Sequence, residues 1–160
     1  MFRFLRVIVA IGVSVALLGA CSSGSAKSAA DTNKRLTKAG YIEASDAICS
    51  TFKDRIGGVV VSAGSGLTVS EAKDTFTKKL IPLFQLEHKE LLALKPPKAD
   101  EALLKSALIA MNSGINTIIG RVASAGSITD LNAIRPAGMI AWKIQSAKYG
   151  MQICGAKAAK

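Results

Sequence analysis

Leu104, Leu108, Met111, Ile115, Ile118 and Val122 recur at spacings of 4, 3, 4, 3 and 4. That rhythm lays one apolar stripe along a single side of an α-helix for about five turns and does not fit the period of two that a strand requires. A helix with such a seam must be covered by other helices, and the rest of the chain offers three. Tyr41, Ala44, Ser45, Ile48, Phe52 and Ile56 share one face of a helix expected over 38–57, with Cys49 at the edge of that face and Gly57-Gly58 as its stop. Thr68-Val69-Ser70-Glu71 has capping-box spacing and opens a second helix over about 69–94. Its apolar face carries Phe76, Leu80, Leu83, Phe84, Leu91 and Leu94, Pro82 is expected to kink it, and Pro96-Pro97 stop it.

The seam helix begins near Asp100 and is broken at Ser124-Ala125-Gly126-Ser127. A fourth helix is expected over about 129–152, with Pro136 as a restart point. Ala137, Ile140, Ala141, Ile144, Ala147 and Met151 are placed on its inner side, and Trp142 off that stripe, where it offers an exposed aromatic contact for a partner. The fold class that follows is all-α, an antiparallel four-helix bundle over 37–160. A chain of 160 residues has room for one such core and no large second domain.

The first thirty-six residues have a different character. Arg3 and Arg6 flank a cationic start, Val7 to Leu18 is a twelve-residue apolar run, and Leu18-Gly19-Ala20-Cys21 follows. The run is shorter than the about 20 residues of a spanning helix and has the layout of an export signal over 1–20. The tetrad resembles a bacterial lipobox, which would make Cys21 the diacylglyceryl-bearing first residue and the membrane the partner that holds it. Ordinary cleavage after Ala26 is the alternative. Ser22 to Leu36, rich in Ser, Ala, Lys and Asp, reads as a flexible tether of roughly 20 Å reach, within a lipid-anchored segment 21–36. The expected location is the extracytoplasmic face of the cell membrane.

With Cys21 acylated, Cys49 and Cys154 remain, and an even pair in an exported chain is most simply a disulfide. Because Cys49 lies about 16 Å along its helix, the first helix would overhang the fourth if the bridge forms.

Tyr41-Ile42-Glu43-Ala44-Ser45-Asp46-Ala47-Ile48-Cys49, the stretch from Pro82 to Leu94-Lys95-Pro96-Pro97, and Tyr149-Gly150-Met151-Gln152-Ile153-Cys154-Gly155 together resemble a group of small exported lipoproteins of actinobacteria. The resemblance covers most of residues 40–155. It implies a helical fold and a paired Cys49 and Cys154, and it implies no reaction.

The chemistry-bearing residues are few. Glu87 falls between Leu80 and Leu94 on the second helix's apolar face, where a carboxylate is costly to bury alone. Either the Pro82 kink turns it outward, or it pairs with a cation such as Lys148 or Arg121, or it is the polar floor of an inter-helix pocket. Ala110 and Gly114 form a small-residue ridge on the third helix, read either as close helix packing or as part of that pocket. A single histidine, His88, excludes a di-iron carboxylate bundle and histidine-based triads, and Gln85 stands where the Glu of a Glu-x-x-His motif would be. Haem ligation by His88 with Met111, Met139 or Met151 lacks any Cys-x-x-Cys-His attachment motif. Gly57 to Gly66 lacks the Lys-Ser or Lys-Thr of a phosphate loop and reads as a flexible connection. No metal, no cofactor and no catalytic constellation are expected.

Loss of Arg3 and Arg6 with the leader leaves nineteen basic against eleven acidic residues, a net charge of +8. The positive charge is spread through every segment without an arginine-aromatic stripe, which argues against nucleic acid and for attraction to an anionic envelope polymer, anionic headgroups or a protein partner. The function expected is a non-enzymatic helical binding or interaction module of the cell envelope, with a carrier of a small apolar or cationic ligand as the alternative.

Overall fold

The computed structural model describes residues 34–63 and 66–155. The export signal, Cys21 and most of the expected tether therefore lie outside the described residues. The described chain is all-helical, with no strand. Its elements are α1 (Lys38–Ala63), α2 (Val69–Thr75) running through a π turn (Phe76–Leu80) into α3 (Ile81–Ala93), a 3₁₀ turn (Lys98–Asp100) leading into α4 (Glu101–Ser124), then α5 (Ile128–Asn132) and α6 (Ala137–Tyr149).

α1 does not stop at Gly57-Gly58 as expected but continues two turns further. Glycine ends a helix by adopting left-handed backbone geometry, and among the described residues only Gly66 and Gly150 have a positive φ. Gly57 and Gly58 lower helix propensity without forcing a stop. The extra turns leave Val61 82% exposed.

The Thr68 and Glu71 capping box forms, with each side chain satisfying the other residue's N–H. Six residues before Pro82 the helix widens. A proline ring clashes with the carbonyl four residues back, here Lys78, and the π turn relieves this by letting the Ile81 N–H donate to the Phe76 carbonyl instead. The insertion buries both Leu80 and Ile81, although they are adjacent in sequence.

α4 is the central helix. All six residues of its 4-3-4-3-4 seam are buried, together with Ala107 and Gly114. By length and composition alone it is apolar enough to cross a membrane, and in this fold α3 and α6 pack against it. At its C-terminus Lys73 Nζ donates to the Ala123 and Ala125 carbonyls at 3.0 and 2.9 Å, so a cation caps the negative end of the helix.

Instead of one fourth helix over 129–152 there are two pieces. Ser127 and Asp130 cap α5, and Pro136 ends it because its ring would overlap the Asn132 carbonyl. The Pro136 carbonyl then accepts from the Met139 and Ile140 N–H groups and starts α6.

The inner face of α6 is not the expected aliphatic one. Ile140 and Ile144 are exposed, whereas Trp142, Ser146 and Tyr149 are buried. Backbone contact sets this rotation: a Cβ on Gly138 would overlap the Ala110 carbonyl and the Gly114 backbone, and one on Gly114 would stand 2.5 Å from the Met139 nitrogen. Only with Gly138 turned towards α4 can the two helices approach this closely. Residues 142, 146 and 149 follow Gly138 inward at helical spacing.

At the end of α6, Gly150 (φ 112°) reverses the chain, and the Met151 N–H returns to the Ser146 carbonyl in a Schellman arrangement. The returning segment brings Cys154 to Cys49, with Cα atoms 5.3 Å apart, and the disulfide forms. The reversal makes the expected overhang of the first helix unnecessary. Asp46, one turn before Cys49, accepts the N–H groups of Gln152, Ile153 and Cys154 at 2.7–3.0 Å. The last residues of the expected tether are fixed as well: the Leu36 N–H donates to the Lys95 carbonyl, and Arg35 pairs with Glu101 at 2.8 Å.

Candidate functional site

Two clusters of buried side chains lie along α4. One gathers Tyr41, Cys49, Leu91 and Trp142 around the first half of α4 and the disulfide, and the other gathers Ala72, Ile81 and Leu131 around its last turns. Phe84 and Met139 pack against both. Where the clusters meet, the molecule is indented by a cleft of about 840 Å³.

The walls of the cleft are apolar: Phe76 and Phe84 from the π turn and α3, Ile118 from α4, Met139 and Trp142 from α6. The Cys49–Cys154 disulfide and Ile56 complete it on the α1 side. Against this background stand four charged side chains. Glu87 of α3 is only 9% exposed, and Lys53 of α1, Arg135 of the α5–α6 connection and Lys143 of α6 share the cleft with it.

Burial pushes the Glu87 carboxyl up from the usual range to about 7. Lys143 opposes this shift and Glu90, on the same helix, adds to it. Lys143 is not in ion-pair contact with Glu87, and neither Lys53 nor Lys143 makes an ion pair or hydrogen bond among the described residues. Arg135 spends part of its guanidinium on the Asn132 and Ile134 carbonyls, which stiffens the loop that forms one edge of the cleft.

The sequence-derived pocket residues are thus divided. Glu87 lines the cleft, while Ala110 and Gly114 do not. Those two form the close crossing with Gly138, and the space expected beside them is filled by the α6 backbone. Neither Lys148 nor Arg121 is the cation acting on Glu87, which is Lys143, one turn beyond Met139.

His88, next to Glu87, faces elsewhere: its Nε2 donates to the Leu108 carbonyl at 3.1 Å, and burial holds its pKa below the ordinary imidazole value. It is not among the cleft residues, so it offers no axial ligand to a haem placed there. Among the described residues no three His, Cys, Asp or Glu side chains converge on a point where a metal could sit.

Sequence reasoning missed Trp142, Lys53 and Lys143 as cleft residues. The signal that would have found Trp142 is Gly138, a small residue able to meet the Ala110-x-x-x-Gly114 ridge, with Trp142 and Ser146 following it at four-residue spacing. Once the two glycines are apposed, Trp142 turns inward and Lys143 lies at the cleft edge. No protein-family model, curated protein or solved structure matches this chain.

Proposed function

We propose that this protein is an exported, lipid-anchored helical module that binds a small ligand with an apolar body in the cleft between its two core clusters, without turning it over. The observation that carries the reading is the cleft itself. Its volume lies within the range of small-molecule sites, and it combines apolar walls with a few polar groups, Glu87 foremost. An antiparallel four-helix arrangement is part of this proposal and is supported by the packing of α1 on α3, α3 on α4 and α4 on α6. The anchor is supported by the apolar run Val7 to Leu18 followed by Leu18-Gly19-Ala20-Cys21, and the disulfide suits an oxidising compartment outside the cytoplasm.

Native mass spectrometry of the membrane-extracted protein, before and after denaturation and before and after reduction with alkylation, tests both halves. The expected species starts at Cys21 with a diacylglyceryl mass, releases a small-molecule adduct on denaturation, and gains two alkylated thiols only after reduction. A soluble species without acylation would overturn the anchor. A protein that neither carries nor takes up any small molecule would overturn the binding reading.

A further inference from the structure

We infer that the cleft takes a single-chain amphiphile with an anionic head group, its tail against Phe76, Phe84, Ile118 and Met139 and its head near Lys53, Lys143 and Arg135. This rests on the binding reading above and narrows it to one ligand class.

The ligand class follows from charge complementarity at the rim of an apolar site. Three cationic side chains, from α1, α6 and the connection before α6, line the cleft against a single carboxylate. Two of them, Lys53 and Lys143, have no ion-pair partner among the described residues. Lys53 and Arg135 are exposed and Lys143 is half-buried, so the cations stand at the mouth of the cleft, where a cationic head would face three like charges and a neutral one would engage none of them. An anion beside them gains charge-assisted hydrogen bonds, while its hydrocarbon chain covers the aromatic and aliphatic walls.

Glu87 fits the same picture. The groups sharing its surroundings are Lys53 from α1, Lys143 from α6, Arg135 from the connection before α6 and Glu90 on its own helix, while α4 contributes only the apolar Ile118. Its carboxyl, pushed up to about 7 by burial, is neutral over part of the physiological range and then donates a hydrogen bond instead of repelling an anion. Binding of an anionic head should therefore weaken as pH rises through about 7.

Trp142 is the only tryptophan in the chain and lies in the cleft wall, so its fluorescence reports occupancy directly. The test titrates the purified full chain with decanoate, decanol and decyltrimethylammonium. Decanoate is expected to bind at least about tenfold more tightly than the other two. Lys53→Gln/Lys143→Gln should weaken decanoate about tenfold, whereas Lys98→Gln/Lys105→Gln, which removes two charges away from the cleft, should not. Decanoate affinity in the parent should fall from about pH 6 to about pH 8, and Glu87→Gln should remove that dependence.

Equal binding of all three probes would overturn the anionic head and leave the binding cleft standing. Equal weakening by both lysine pairs would assign the effect to overall charge and overturn the site. Absence of any Trp142 response would overturn this inference and the binding reading together. Phosphatidylglycerol vesicles provide the last arm: if they move the Trp142 emission and decanoate monomers do not, bilayer lipid is the ligand and the single-chain assignment falls.

Discussion

Around the first half of α4 twelve buried residues form one cluster, which holds the disulfide, whereas around its last turns six form another that has no covalent tie. The first region is closed by long-range bonds: Cys49 to Cys154, Asp46 to three backbone N–H groups, Tyr149 to Asp100 at 2.7 Å, and Arg35 to Glu101. The second is assembled from short pieces, with the π turn, a five-residue α5 and the exposed end of α1 around it. Rigid closure at one end and irregular, lightly packed elements at the other place the cleft at their junction. Local opening free energies follow buried contact and hydrogen bonding, so the second region should exchange its amides faster than the first.

The largest test of that contrast is the disulfide. It closes a sequence separation of 105 residues, for which chain entropy predicts a contribution of about 4–5 kcal/mol. Cys49→Ser/Cys154→Ser should lower unfolding stability by nearly that amount and bring amide exchange in the first region up to the level of the second. Urea unfolding and hydrogen exchange of the variant measure both. If the first region kept its protection, the noncovalent bonds alone would account for its closure.

Next in size is the pH response of Glu87. Its folded pKa of about 7 lies above the unfolded value of 4.5, so between these two the folded state binds more protons than the unfolded one. Stability must then fall as pH rises from about 4.5 to about 7 and level off above, by up to about 3 kcal/mol at about 1.4 kcal/mol per pH unit. Glu87→Gln should flatten that slope and be the more stable protein above pH 7. Urea midpoints of parent and variant over this range decide it. A parent with no slope would mean that Glu87 is solvated in solution and that the cleft is wetter than its walls suggest.

These two groups also mark what could be read from the sequence. The α4 seam was legible because its six apolar residues form one unbroken stripe, whereas the exposed Leu103, Ile109 and Ile119 are scattered among Lys105, Asn112, Asn116 and Arg121. α6 was not legible in the same way. Its polar residues, Lys143, Gln145, Ser146 and Lys148, are spread around the helix and mark no single outer face, and counting aliphatic residues selected Ile140 and Ile144, which are exposed. Its rotation is decided by contact between glycine backbones, which leaves no mark in hydropathy. The cleft was half legible for the same reason: Glu87 stood out as a charge on an apolar face, but the residues opposite it depend on how α6 is turned.

Gly138→Ala probes that rotation. The added Cβ would meet backbone atoms of Ala110 and Gly114, which no rotamer change can move aside, so α6 must shift away from α4. Overpacking of this kind costs about 1–3 kcal/mol. It should also alter the surroundings of Trp142, one turn further along the same face, so thermal unfolding and the Trp142 emission maximum should change together. A stability loss without a spectral change would place the strain elsewhere than at the cleft wall.

The smallest effect separates the two means by which the first region is closed. Asp46 sits at the side of α1, and its carboxylate gathers the N–H groups of Gln152, Ile153 and Cys154, which have left the helix and have no other partner among the described residues. Asn in its place keeps the shape but replaces the charged acceptor with one carbonyl oxygen and an amide that repels the N–H groups. Bonds of this kind at a partly exposed site contribute about 1 kcal/mol each, and water takes over some of them after substitution, so Asp46→Asn should cost about 1–2 kcal/mol. Its second signature is kinetic: with the terminal segment less firmly held, the Cys49–Cys154 bond should be reduced faster by dithiothreitol than in the parent. A parent-like reduction rate would show that the Gly150 reversal and the packing of Cys154 suffice to shield the bond, and that the carboxylate serves only to satisfy the three amides.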